Sequence, residues 1–143
     1  MQLAKIIANN IFLILSIACF TFSIFHPCYG TGPDMPEQEQ GLGLLIFGWM
    51  GLMMGAPGIV WLANPLLILS WIFNKKKNTL AILFGVSAII CALYFFSIKE
   101  ILVDEAGHKS KITNYYLGYW YWVSSMILNL IDALIQKYRF QKL

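Results

Sequence analysis

Four polar side chains lie inside long apolar runs of this chain: Ser125, Asn129 and Asp132 in one run, Asn64 in another. Ser125, Asn129, Asp132 and Gln136 follow i, i+4, i+7, i+11 spacing, which puts them on one face of a helix. A carboxylate in apolar surroundings is costly unless a cation or hydrogen-bond donors meet it. The lysines at 75 to 77, Lys5 or Arg139 can reach Asp132 by laying their stems along the helix, and this partner role is the expectation. The alternative groups Asp132 with Ser125, Asn129, Asn64 and Asn9 or Asn10 as a polar pocket for a cation, a proton or a small polar ligand. Pro65 has no N–H and so frees the carbonyl of Trp61. Asn64 is placed to donate to such a carbonyl or across to another helix, a structural role preferred here to a broken-helix binding site.

Other chemistry is hard to assemble. His26 and His108 share the polar segments with Asp34, Glu37, Glu39, Glu100, Asp104 and Glu105, but no metal-ligand spacing joins them. There is no phosphate-binding glycine loop and no nucleophile motif, so no enzyme activity, cofactor or metal is assigned. Cys19 and Cys91 fall inside apolar runs and Cys28 alone in a polar segment, which gives no disulfide framework.

The elements that must position these residues follow from composition. Hydrophobic residues make up 59% of the chain and charged ones 12%, far from a soluble domain's balance. The expected solvent is therefore a lipid bilayer, crossed four times: at 6–25, 42–73, 80–98 and 117–135. The second stretch exceeds one span and should kink, with Pro57 and Pro65 as the expected break points. Lys5, the lysines at 75 to 77 and the tail carry seven of the ten lysine and arginine residues. By the positive-inside rule both termini face the cytoplasm, in a bacterial inner membrane. The first span is read as a retained helix, because Ser16 spoils the lipobox at Ser16-Ile17-Ala18-Cys19. The net charge of +3 reflects this topology and is no sign of nucleic-acid binding.

Packing faces can be read as well. Gly48, Gly51, Gly55 and Gly58 form a small-residue face, with a GxxxG spacing at 51 and 55, that suits close helix approach within the chain or between copies. Small or polar stripes are expected on the first span (Asn9, Ser16, Cys19, Ser23, His26) and on the third (Ser87, Cys91, Tyr94). Tyr115, Tyr116, Tyr119, Trp120, Tyr121 and Trp122 are expected at the outer headgroup level, and Trp71, Phe73 and Tyr138 at the inner one. Ile101 to Thr113 reads as a short hairpin turning at Glu105–His108, which must lean on the other loop or the membrane surface. Thr31 to Glu37 should be irregular.

Gly48-Trp49-Met50-Gly51, Trp61-Leu62-Ala63-Asn64-Pro65-Leu66, Ile101-Leu102-Val103-Asp104-Glu105-Ala106-Gly107 and Gly118-Tyr119-Trp120-Tyr121-Trp122 together give the chain a look that resembles small four-span inner-membrane proteins of bacteria. The resemblance implies a four-helix bundle and brings no activity with it. The expected fold is one all-α domain of four transmembrane helices with a long kinked second helix and a small outer hairpin. The expected function is that of a non-enzymatic, oligomeric anchor, sensor or immunity-type interaction component. Its partners would be the lipid bilayer and either further copies or another membrane protein. The alternative is a channel or transporter subunit using the stripe around Asp132.

Overall fold

The computed structural model describes residues 10–32, 37–75, 77–102 and 108–140. Lys5, Asn9, Asp34, Lys76, Asp104, Glu105 and Lys142, and residues 105–107 of the turn expected at Glu105–His108, lie outside the described residues. Helix α1 (Ile11–Ile24) leads into strands β1 (Pro27–Thr31) and β2 (Glu37–Gln40). Short helices α2 (Gly41–Phe47), α3 (Gly51–Met54) and α4 (Ala56–Trp61) precede α5 (Ala63–Phe73) and α6 (Asn78–Leu93). Strands β3 (Glu100–Leu102) and β4 (Lys109–Tyr115) then lead into α7 (Leu117–Phe140).

The chain is mostly helical but not all-α. The four strands form one antiparallel sheet in the order β2-β1-β4-β3. The expected hairpin is there, with Ile101 opposite Ser110 and Leu102 opposite Lys109. It leans on the other loop, since Tyr29 faces Tyr115 and Gly30 faces Asn114. At the ends of the segment expected to be irregular, Thr31 pairs with Glu37 across β1 and β2; residues 33–36 lie outside the described residues. Tyr29, Thr31, Ile112, Thr113 and Tyr115 are aromatic or branched and suit a pleated surface.

The count of four membrane-length helices also needs correction. Among the described residues, two helical segments are long and apolar enough to cross a membrane, Ala56–Phe73 and Asn78–Ser97. Ile11–Ile24 is a shorter apolar helix within the described residues. Helix α7 has the length, 24 residues, but Asn129, Asp132, Gln136, Lys137 and Arg139 make it less apolar.

At the expected Pro65 the second stretch passes from α4 to α5 around the Trp61 carbonyl without a turn, and its sharp turn comes two residues before the expected Pro57. That turn is at Gly55, whose φ of +96° is open to glycine and strained for other residues. Pro57 sits in the first turn of α4, where its missing N–H costs nothing. Pro65 lies in the first turn of α5, and the helical path from Gly58 runs on through Leu62 to Leu66. Across Gly55, α3 and α4 fold back on each other. A Cβ on Gly58 would stand 2.3 Å from Leu52 Cα, and one on Gly51 3.0 Å from the Gly58 nitrogen. The glycine contact expected of a GxxxG face is thus made within the chain, between Gly51 and Gly58, while Gly55 serves as the turn. Gly48 makes room for an aromatic ring: a Cβ there would meet Trp61 Cδ1 at 2.5 Å.

Helix α7 packs against α1 and α6, and α6 against α5. The buried stripe of α6 is Ala81, Gly85, Ala88 and Ala92, at i, i+4, i+7, i+11. The expected Ser87, Cys91, Tyr94 stripe is offset from it: Ser87 and Cys91 are half-buried and Tyr94 is exposed. Small size, more than polarity, marks the face along which these backbones approach. At the sheet end, Phe95 anchors an aromatic cluster, 5.1 Å from Tyr29, 5.5 Å from Tyr115 and 5.7 Å from Tyr119 between ring centroids. These rings join sheet to bundle through apolar area and favourable edge-to-face geometry.

Candidate functional site

Hydrogen bonds step down the bundle from the sheet. Tyr119, fully buried, donates from its hydroxyl to Ala92 O at 3.0 Å. Below it, Trp122 Nε1 donates to Asn64 Oδ1 at 2.8 Å, and Asn64 Nδ2 donates to Trp61 O at 3.1 Å. That carbonyl is the one Pro65 leaves free, so Asn64 closes the gap locally and ties α7 to α5. Trp61 Nε1 donates to Leu45 O at 3.1 Å, carrying the chain of bonds on to α2. Next, Ser125 Oγ donates to Trp122 O, and Ser16 Oγ to Ser125 O, both at 2.6 Å. Trp71 Nε1 then donates to Ser16 Oγ at 3.0 Å. Tyr119, Trp122 and Trp71 therefore turn inward to bond, while Trp120, Tyr121 and Tyr138 stay exposed.

The lowest layer is a polar cluster between α5, α6 and α7. Asn74 Nδ2 donates to Asp132 Oδ2 at 2.7 Å. Asn129 Nδ2 donates to Ser70 Oγ, which donates in turn to Ala81 O at 2.6 Å. Ser70, Asn74 and Asn129 are fully buried and Asp132 nearly so. Among the described residues, the group that meets the Asp132 carboxylate is this amide, where the sequence suggested a cation.

The four polar-pocket candidates thus divide between layers. Asn129 and Asp132 sit together, whereas Ser125 and Asn64 belong to the layers above and bond to backbone and indole. Ser70 and Asn74 were missed, though a signal existed: Asn64, Leu67, Ser70 and Asn74 recur at helical spacing, and all are buried. Among the described residues no three histidine, cysteine or acidic side chains are grouped to hold a metal ion.

A second feature had no sequence signal. Beneath the sheet, between α1, the folded-back α2–α4 segment and the start of α7, lies a cleft of about 480 Å³. Its walls are mostly apolar, with Phe20, Leu45, Val60, Phe95, Ile98 and Ile101 among them, and its polar wall includes Asn64, Trp61 and Trp122. Their polar atoms are already bonded, Asn64 to Trp61 O and to Trp122 Nε1, and Trp61 Nε1 to Leu45 O. Glu100 and Lys109 of the hairpin, both exposed, contribute charge to its rim, and the exposed Phe47 and Met50 contribute apolar surface. The volume falls within the roughly 300–1,000 Å³ of ligand sites, and the pattern of apolar walls with few polar groups is theirs too.

Cys28 and Tyr29 also line this cleft. Burial pushes the Cys28 thiol up to about 12. Burial likewise raises the Tyr29 phenol, with a further push from the negative charge of Glu39. Both groups stay protonated at neutral pH, so neither is a nucleophile or base there. The cleft is suited to holding an apolar molecule by shape. Comparison with protein-family models, with curated proteins and with solved structures finds no match, so the resemblance to four-span membrane proteins stands on its motifs alone.

Proposed function

We propose that the chain is a small polytopic membrane protein that acts by binding, with the cleft beneath the sheet as its recognition element and the hydrocarbon tail of a membrane lipid as its occupant. The cleft carries the reading. Its apolar walls favour a hydrocarbon chain, and its rim joins charge from Glu100 and Lys109 to the apolar Phe47 and Met50, the two-sided character an amphiphile needs. The exposed Leu42, Ile46, Phe47, Trp49, Met50, Leu52 and Met53 continue that apolar surface outward, so a tail can enter sideways from the bilayer.

A bilayer around the chain is part of the proposal. The windows Ala56–Phe73 and Asn78–Ser97 are 33% and 28% buried. Core helices of a water-soluble protein would hide such apolar surface. Large side chains such as Leu83, Ile90 and Phe22 point outward instead. With the lysines at 75 to 77 and both termini at the cytoplasmic face of a bacterial inner membrane, the sheet and cleft lie at the outer leaflet. The role is that of an anchor or sensor reporting on a bound lipid, with a further copy or another membrane protein as the partner it informs.

The test uses a phospholipid with a photoactivatable diazirine in its acyl chain, mixed into nanodiscs with the full chain. Crosslinks should concentrate on Val60, Ile101 and Leu45, and Val60→Phe, which fills the cleft, should remove them. Labelling spread evenly over Leu83, Ile90 and the cleft residues, unchanged by Val60→Phe, would defeat the reading.

A further inference from the structure

We propose that the buried layer of Ser70, Asn74, Asn129 and Asp132 binds one monovalent alkali cation, with sodium the best match. This goes beyond the lipid-binding reading and is independent of it. Two amide oxygens carry the argument. Asn74 Oδ1 and Asn129 Oδ1 are completely enclosed, and among the described residues neither has a hydrogen-bond partner. Each belongs to an amide whose nitrogen is already spent, on Asp132 in one case and on Ser70 in the other. Covalent geometry therefore keeps both oxygens in the layer that holds the carboxylate. Buried acceptors without donors are destabilising, and two in one layer call for a shared partner.

The chemistry of that partner follows from the donor set. All the atoms on offer are hard oxygens: a carboxylate, two amide carbonyls and a hydroxyl. The set carries a single formal negative charge, from Asp132. A monovalent cation neutralises it, whereas a divalent one would leave net charge buried in a low-dielectric interior. The wall facing α6 is bare at this point: a Cβ on Gly85 would stand 3.3 Å from Ser70 Oγ and 3.7 Å from Asn129 Nδ2. A side chain there would fill the space next to two of the four residues.

The experiment measures equilibrium binding of radiolabelled sodium to the full chain in nanodiscs. One saturable sodium per chain is expected, displaced by unlabelled sodium, less well by potassium and not by choline. Asp132→Asn should abolish binding. Asn129→Leu removes one of the oxygens offered to the ion and should weaken binding by no less than about 10- to 100-fold, the loss seen when outer groups supporting a metal site are removed. Asn129→Asp keeps the size and adds a second carboxylate, so its preference should move from sodium to calcium. This variant keeps the test sharp should Asp132→Asn fail to fold. The proposal falls if the wild-type chain shows no saturable sodium binding, if choline competes as well as sodium, or if Asn129→Asp leaves ion preference unchanged.

Discussion

Asn64→Leu keeps the number and branching of side-chain heavy atoms and deletes two hydrogen bonds, one to Trp61 O at 3.1 Å and one from Trp122 Nε1 at 2.8 Å. The first satisfies a carbonyl that Pro65 cannot serve. The second joins α5 to α7. Hydrogen bonds between helices in membrane proteins average about 0.6 kcal/mol, with an upper end near 1.7. The local bond to Trp61 O adds about 0.5–1.5 kcal/mol. Together the variant should lose about 1–3 kcal/mol. Trp122→Phe removes the inter-helix bond and part of the ring but leaves the local one intact. In a double-mutant cycle the two changes should therefore couple by about 0.6–1.7 kcal/mol. Reversible unfolding in bicelles, followed by helical circular dichroism, measures all four corners of the cycle. Strict additivity, within about 0.3 kcal/mol, would mean that Asn64 and Trp122 do not bond and that the cleft wall is not built as described.

Other consequences are equally specific. Gly58→Leu forces side-chain atoms into the backbone of α3, where even a Cβ would stand 2.3 Å from Leu52 Cα, and should cost about 3 kcal/mol or more in the same unfolding assay. Gly43→Ala meets nothing within 4 Å and should be neutral or stabilising by up to about 1 kcal/mol. Gly55→Ala must adopt a φ of +96° and should cost about 1–3 kcal/mol, read as a lowered Tm. Cys28, raised by burial from 9.0 to about 12, should resist maleimide at pH 8 until the chain is unfolded. Because its folded value lies above the unfolded one, its contribution to stability is fully present below pH 9 and fades as pH climbs towards 12. A Cys28→Ala chain should show a flatter stability profile over that window.

The legible part of this fold was periodicity. The stripe at Ser125, Asn129 and Asp132 marks a buried face because helix geometry repeats whether or not the partner is known, and all three side chains are buried. The hairpin at Ile101–Thr113 was legible because branched residues flank a turn. The break in the second stretch was legible only to within two residues: Pro57 stands just past it, where proline is harmless at a helix start, while Gly55 supplies the backbone angle that other residues take only at a cost. The pairing of β1 with β4 joins residues more than 80 positions apart, and such pairing leaves no local trace. The cleft is less legible still, since Phe20, Val60, Ile101 and Tyr119 reach it from separate elements. Likewise, that the Asn74 amide meets Asp132 follows from how the end of α5 faces α7 at that level, a fact of tertiary packing.

The most direct test of the central claim is native mass spectrometry of the full chain released from nanodiscs cut out of its host membrane. The account predicts one tightly retained lipid per chain that survives activation, and its loss in Val60→Phe at unchanged fold. A wild-type chain that emerges bare, or a Val60→Phe chain that keeps the same lipid, would contradict it.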